Sequence, residues 1–161
     1  MHGDWSVAII ASFFAAVLRL ARGEVRAGLA QLPRTDEMVN KGAERGLVQH
    51  FLIKKAEIFM TVAGLFPNPL PEARLPLAEF PTAIGLRLTA RKRAKATYAD
   101  LRTRISVTEG FHMARIQLGE GRIALAERRR SEADQLLTRA ETVFRAQSVQ
   151  HLLEILDTFP R

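Results

Sequence analysis

Apolar residues recur three and four positions apart through most of the chain, and no alternating run of strand length lies between hairpin turn signals. That period predicts an all-α protein, a single compact bundle of about five to seven helices over residues 1–161. Asp4 is placed to cap a first helix whose apolar run reaches Ala21, where Gly23 interrupts it. "EVRAGLAQLP" predicts a short second helix ending before Pro33, because proline lacks the amide a helix interior needs. Thr35 and Asp36 are then candidate caps of a long helix carrying Val39, Leu47, Phe51, Ile58, Val62 and Leu65, with Gly42 or Gly46 as candidate breaks.

"PNPLPEARLPLAEFP" holds prolines at 67, 69, 71, 76 and 81 and predicts an extended or turn-like connection. Leu70, Leu75, Leu77 and Phe80 are interleaved with those prolines. They suggest a strap packed across the bundle, between an apolar helical half (1–66) and a basic helical half (82–161). Helix resumes after Pro81, with Gly110 and "LGEG" (118–121) as candidate breaks, and Ser131 and Ser148 as caps of the last two helices.

The stretch Trp5–Leu18 carries no charge over fourteen residues. That falls short of the roughly 20 that a membrane-crossing helix needs, and "MHGD" is not the basic start of a signal peptide. The expectation is a helix apolar nearly all round, buried in the bundle or against a partner subunit. A peripheral membrane anchor is the alternative.

Composition sharpens this picture in two ways. With 161 residues, 47% of them hydrophobic, the chain is long enough for one real core. It has no cysteine, which excludes a disulfide scaffold and thiolate zinc sites and leaves a reducing compartment, the cytoplasm, as the expected location. The formal charge of +7 is also unevenly spread: residues 81–147 hold fourteen basic and seven acidic side chains, and the rest of the chain holds ten of each. Segregated charge of this kind attracts polyanions.

At 100° per residue, Leu86, Ala90, Ala94, Thr97, Leu101 and Ile105 form one apolar stripe of the helix after Pro81. Arg87, Arg91, Lys95 and Arg102 share the adjoining flank over about four turns, with Lys92 further round, a geometry suited to following phosphates. Arg93 and Arg104 fall on the opposite flank. Tyr98 lies at the border of the two faces, where a phenol can stack on a base or pack beside the core with its hydroxyl wet. Arg128, Arg129 and Arg130 form a second basic cluster at an expected helix end, where they either complement the helix dipole or extend the same groove.

Residues 114–144, "ARIQLGEGRIALAERRRSEADQLLTRAETVF", resemble a single tetratricopeptide-type helical repeat. Leu118, Gly121 and Leu125 match its first helix. Glu132, Ala133, Leu136, Leu137, Ala140 and Phe144 match its second. The resemblance implies an antiparallel helix pair, with Gly121 and Ala133 at the close approach. Arg128 stands where the family carries glycine, the aromatic of the first helix is missing, and no second copy lies about 34 residues upstream. In size, helicity and charge the chain is also similar to the small helical subunits of multi-subunit CRISPR effector complexes, which line nucleic acid without doing chemistry.

No reaction is legible. His2, His50, His112 and His151 lie far apart, without a second ligand at metal-binding spacing, and no phosphate loop or nucleophile elbow occurs. Neither catalytic residue, metal nor cofactor is expected. The leading expectation is a non-catalytic subunit of a nucleoprotein assembly that contacts the backbone of RNA or DNA. It would meet other protein subunits through Trp5–Leu18, and copies of itself are a further expected partner. The alternatives are a protein-protein adaptor and a peripheral membrane protein.

Overall fold

A computed structural model describes residues 5–42, 45–67, 75–104 and 110–158. The protein is all-α, 88% helical, with seven α-helices and no strand among the described residues. In chain order they are α1 (Trp5–Ala21), α2 (Val25–Gly42), α3 (Arg45–Val62), α4 (Phe80–Arg104), α5 (Gly110–Ala126), α6 (Arg130–Ala146) and α7 (Gln150–Thr158). A short 3-10 turn, Leu77–Glu79, leads into α4. No helix among the described residues is long and apolar enough to cross a membrane.

The chain divides into two compact units, and the division does not fall at the proline-rich connection. Unit 1 comprises Met1–Phe51 and Pro69–Thr89; unit 2 comprises Leu52–Asn68 and Ala90–Arg161. The boundaries cut α3 and α4, so each unit takes one segment from either side of the prolines. Composition along the chain cannot register such a division, because helix packing, and not adjacency in sequence, creates it.

In unit 1, α1 packs on α2 at close range, since Gly28 leaves room for the Leu20 side chain and the Ala16 carbonyl. Ser12 Oγ lies 2.8 Å from Thr35 Oγ1 and accepts from Gln31 Nε2 at 2.8 Å, a polar tie inside the helix pair. Phe13 meets Phe51 of α3 edge to face at 5.1 Å. Several expectations change here. Pro33 lies inside α2 and does not end it. The helix survives the missing amide because Pro33 faces solvent while Leu32, Thr35 and Val39 are buried. Thr35 is accordingly no cap; it is fully buried and donates to the Gln31 carbonyl at 3.2 Å. Helix α1 is not covered all round either: Ile9 and Ala16 are buried, whereas Val7, Ile10, Phe14 and Leu18 face out. The expected cap Asp4 and, of the strap, Leu70 lie outside the described residues. Leu75 is half-buried, but Leu77 and Phe80 are exposed, so they do not pack across the bundle.

In unit 2, the core gathers Ile53, Phe59, Met60, Tyr98, Leu101, Ile116, Ile123, Leu137 and Phe144. The stretch that resembles a tetratricopeptide repeat forms α5 and α6, the most closely packed pair in this unit. Gly121 sits against Leu137, whose side chain would be 2.8 Å from an added Cβ, and Ala133 is fully buried. "LGEG" therefore does not break α5. Its glycines are contact points, Gly119 under Tyr98 and Gly121 under Leu137. Ser131 lies within the first turn of α6, whose N-cap is Arg129 without a side-chain bond, and Ser148 lies outside α7 at φ 54°.

Candidate nucleic-acid interface

The apolar stripe of α4 behaves as its spacing demands: Leu86, Ala90, Ala94, Thr97 and Leu101 are buried, and Ile105 lies outside the described residues. The flanking cations consequently face out. Arg87 is exposed in unit 1, and Arg91, Lys92, Lys95 and Arg102 are exposed in unit 2. Arg128, Arg129 and Arg130 are exposed at the turn between α5 and α6.

Within unit 2 the two clusters meet. Lys95 Nζ approaches Glu127 at 2.6 Å, which brings one turn of α4 beside the turn that carries the three arginines. The same contact neutralises Lys95. Arg102 is bound to Glu120 through both Nε, at 2.9 Å, and Nη2, and its Nη1 lies 3.7 Å from Met113 Sδ. Arg129 donates to Glu127 at 2.8 Å and also to Glu132. Lys95 and then Arg129 hold the Glu127 carboxyl below the usual carboxylate range. Glu132 and then Glu127 raise the already high affinity of Arg129 for its proton, as Glu120 does for Arg102.

Three of the nine candidate residues are thus partnered by the protein's own carboxylates. For Lys95 and Arg102 the sequence could not reveal this, since the pairing distances of 32 and 18 residues depend on how α4 lies on α5, whereas the partners of Arg129 are two and three residues away. No carboxylate among the described residues pairs with Arg87, Arg91, Lys92, Arg128 or Arg130. Lys95, Glu120, Ile123, Arg129 and Glu132 line an open cleft of about 260 Å³. Its walls carry charges of both signs.

Tyr98 is corrected outright. It is 1% exposed, its hydroxyl has no hydrogen-bond partner among the described residues, and the ring stands over Gly119, where any Cβ would overlap it. The helical angle placed Tyr98 at the margin of the stripe; the missing side chain at Gly119 lets it turn inward. Burial, and secondarily the charge of Glu57, pushes its phenol far above the ordinary range. It cannot stack on a base.

Two arginines that sequence reasoning did not single out also lie inside unit 2. Arg115 is paired with Glu57, its Nε at 3.1 Å, and its guanidinium stands 6.0 Å over the Phe111 ring. Arg122 Nη2 donates to the carbonyls of Ile155 and Leu156 at 2.6 and 2.8 Å, the free acceptors of the last turn of α7. Both belong to the basic excess counted along the sequence, yet neither reaches a ligand at the surface. Their seven-residue separation on the buried side of α5 was the available signal. Among the described residues no three His, Asp or Glu side chains gather as a metal site would require. No family model, curated protein or solved structure matches the chain.

Proposed function

We propose that this protein is a non-catalytic helical subunit of a nucleoprotein assembly that holds a nucleic-acid backbone against unit 2. The observation that carries this reading is the set of exposed, unpaired cations Arg91, Lys92, Arg128 and Arg130, gathered where Lys95 ties α4 to the turn after α5. Around them the surface holds seven cations, counting Lys95, Arg102 and Arg129, against the carboxylates Glu120, Glu127 and Glu132 and, one turn on from Arg130 in α6, the exposed Asp134. Surface ion pairs contribute only about 0–1 kcal/mol, so a phosphate can displace a carboxylate from a paired cation at little cost. With Tyr98 buried, no aromatic joins the surface. Binding then rests on phosphate contacts, indifferent to sequence and strongly dependent on salt.

Fluorescence anisotropy with a labelled random oligonucleotide tests the reading. Four phosphate contacts correspond to a log-log salt slope of about −3 to −4. The combined R91E, K92E, R128E and R130E variant is expected to lose binding while keeping its helical circular dichroism. Absence of binding at low salt, or equal binding by that variant, rejects the reading. A protein-only adaptor is the second reading, favoured by the uncharged exposed side of α1, and it predicts no oligonucleotide binding at any salt.

A further inference from the structure

Helix α1 presents a second surface of a different kind. Val7, Ile10, Phe14 and Leu18 are 61%, 44%, 59% and 55% exposed. Their spacings of three, four and four residues place them within about 80° of arc, a seam nearly parallel to the helix axis and about 16 Å long. The opposite side of the same helix, with Ile9 and Ala16, is already buried in unit 1. Nothing charged lies along the seam; Arg19 follows it, in the last turn.

We infer that this seam pairs with the same seam of a second copy of the chain, the two α1 helices running antiparallel about a two-fold axis. Charge selects this occupant. Unit 1 contains eight basic and seven acidic side chains, whereas unit 2 contains sixteen and ten. Two copies meet with least like-charge repulsion through unit 1, and an acidic protein would be drawn to unit 2 instead. An anionic lipid surface finds no cation between Val7 and Leu18 and only Arg19 and Arg22 beyond them, at the end of α1, where interfacial helices rely on several along their length.

Geometry agrees. An antiparallel pair sets Val7 against Leu18 and Ile10 against Phe14 of the second copy, so every apolar side chain meets another, and the helix dipoles oppose. With the exposed alanines Ala8 and Ala11 included, such a contact buries on the order of 1,000 Å² in total, the low end of specific interfaces. The dimer is therefore concentration-dependent, with a dissociation constant in roughly the micromolar range. The inference uses unit 1 alone and stands or falls separately from nucleic-acid binding.

Sedimentation equilibrium of the full chain, from about 5 to about 500 µM, is expected to show a monomer-dimer equilibrium that persists in high salt. Phe14→Glu is expected to weaken it at least about tenfold, or about 1.4 kcal/mol. Because Phe14 already faces water, the circular dichroism should not change. Leu88→Glu, at an 80% exposed leucine of α4 in the same unit, is expected to leave the dimer intact. The chain has no cysteine, so oxidising a mixture of Ile10→Cys and Phe14→Cys reports the register directly through a cross-linked dimer. A monomer throughout the concentration range overturns the inference, as does equal sensitivity to Phe14→Glu and Leu88→Glu. Flotation of a monomer with phosphatidylglycerol vesicles, abolished by Phe14→Glu, would assign the seam to lipid instead.

Discussion

Tyr98 is the only tyrosine of the chain, and the fold excludes its phenol from water. The ionised form is disfavoured by burial and by nearby Glu57. An absorbance titration near 295 nm is therefore expected to show no tyrosinate while the protein is folded, and the full signal only on unfolding. The sign follows from linkage: above about pH 10 the unfolded chain releases a proton that the folded chain keeps, so stability falls with rising pH by up to about 1.4 kcal/mol per unit. Arg128 illustrates a different constraint. It occupies the left-handed region at φ 62°, with its own amide and that of Arg129 bonded back to Leu125 and Ala124. Glycine suits that position better. Arg128→Gly is expected to stabilise the protein by about 1 kcal/mol, a rise of roughly 2–4 °C in Tm, while weakening oligonucleotide binding.

At the scale of elements, α1, α3, α5 and α6 end in the same way, with a residue at positive φ just beyond the last turn: Gly23, Gly64, Arg128 and Ser148. Gly23 is the expected end of α1 and does end it, whereas the helix expected to carry Val62 and Leu65 runs past Gly64, and α3 stops at Val62. Nothing in the sequence signals the positive φ of Arg128 or Ser148, because only closure of the turn reveals that a side chain tolerates the left-handed conformation there. Pro33 shows the reverse failure. A proline ordinarily ends a helix, yet α2 continues through it, since packing against α1 outweighs the lost hydrogen bond and ring clash of an interior proline, together about 3 kcal/mol. Pro33→Ala restores an amide to face the Leu29 carbonyl and is expected to raise stability by about 1–3 kcal/mol, measured by chemical denaturation.

For the molecule as a whole, the decisive feature is unequal charge. Unit 2 carries nearly all of the net +7, but α5, the turn after it and α6 supply Glu120, Glu127 and Glu132 to three of its most prominent cations. Those carboxylates screen the surface. Replacing Glu127 by Gln removes one negative charge, releases Lys95 and leaves Arg129 held by Glu132 alone, so oligonucleotide affinity is expected to rise a few-fold at low salt. Stability should change by no more than about 1 kcal/mol, the scale of a surface ion pair. Anisotropy and denaturation on the same variant separate the two effects; an unchanged or lower affinity would mean that this surface does not meet the polyanion.

By itself the sequence determined the helical class, the limits of α1, the buried stripe of α4 and the excess of positive charge. These follow from local periodicity and composition, which act over a few residues. Tertiary structure alone decided which cations remain unpaired, that Tyr98 turns inward over Gly119, that Arg115 and Arg122 are internal, and that α1 keeps an exposed apolar seam. Each of these depends on contacts between residues far apart in the chain, where the partner's identity and distance are set only once the helices have packed.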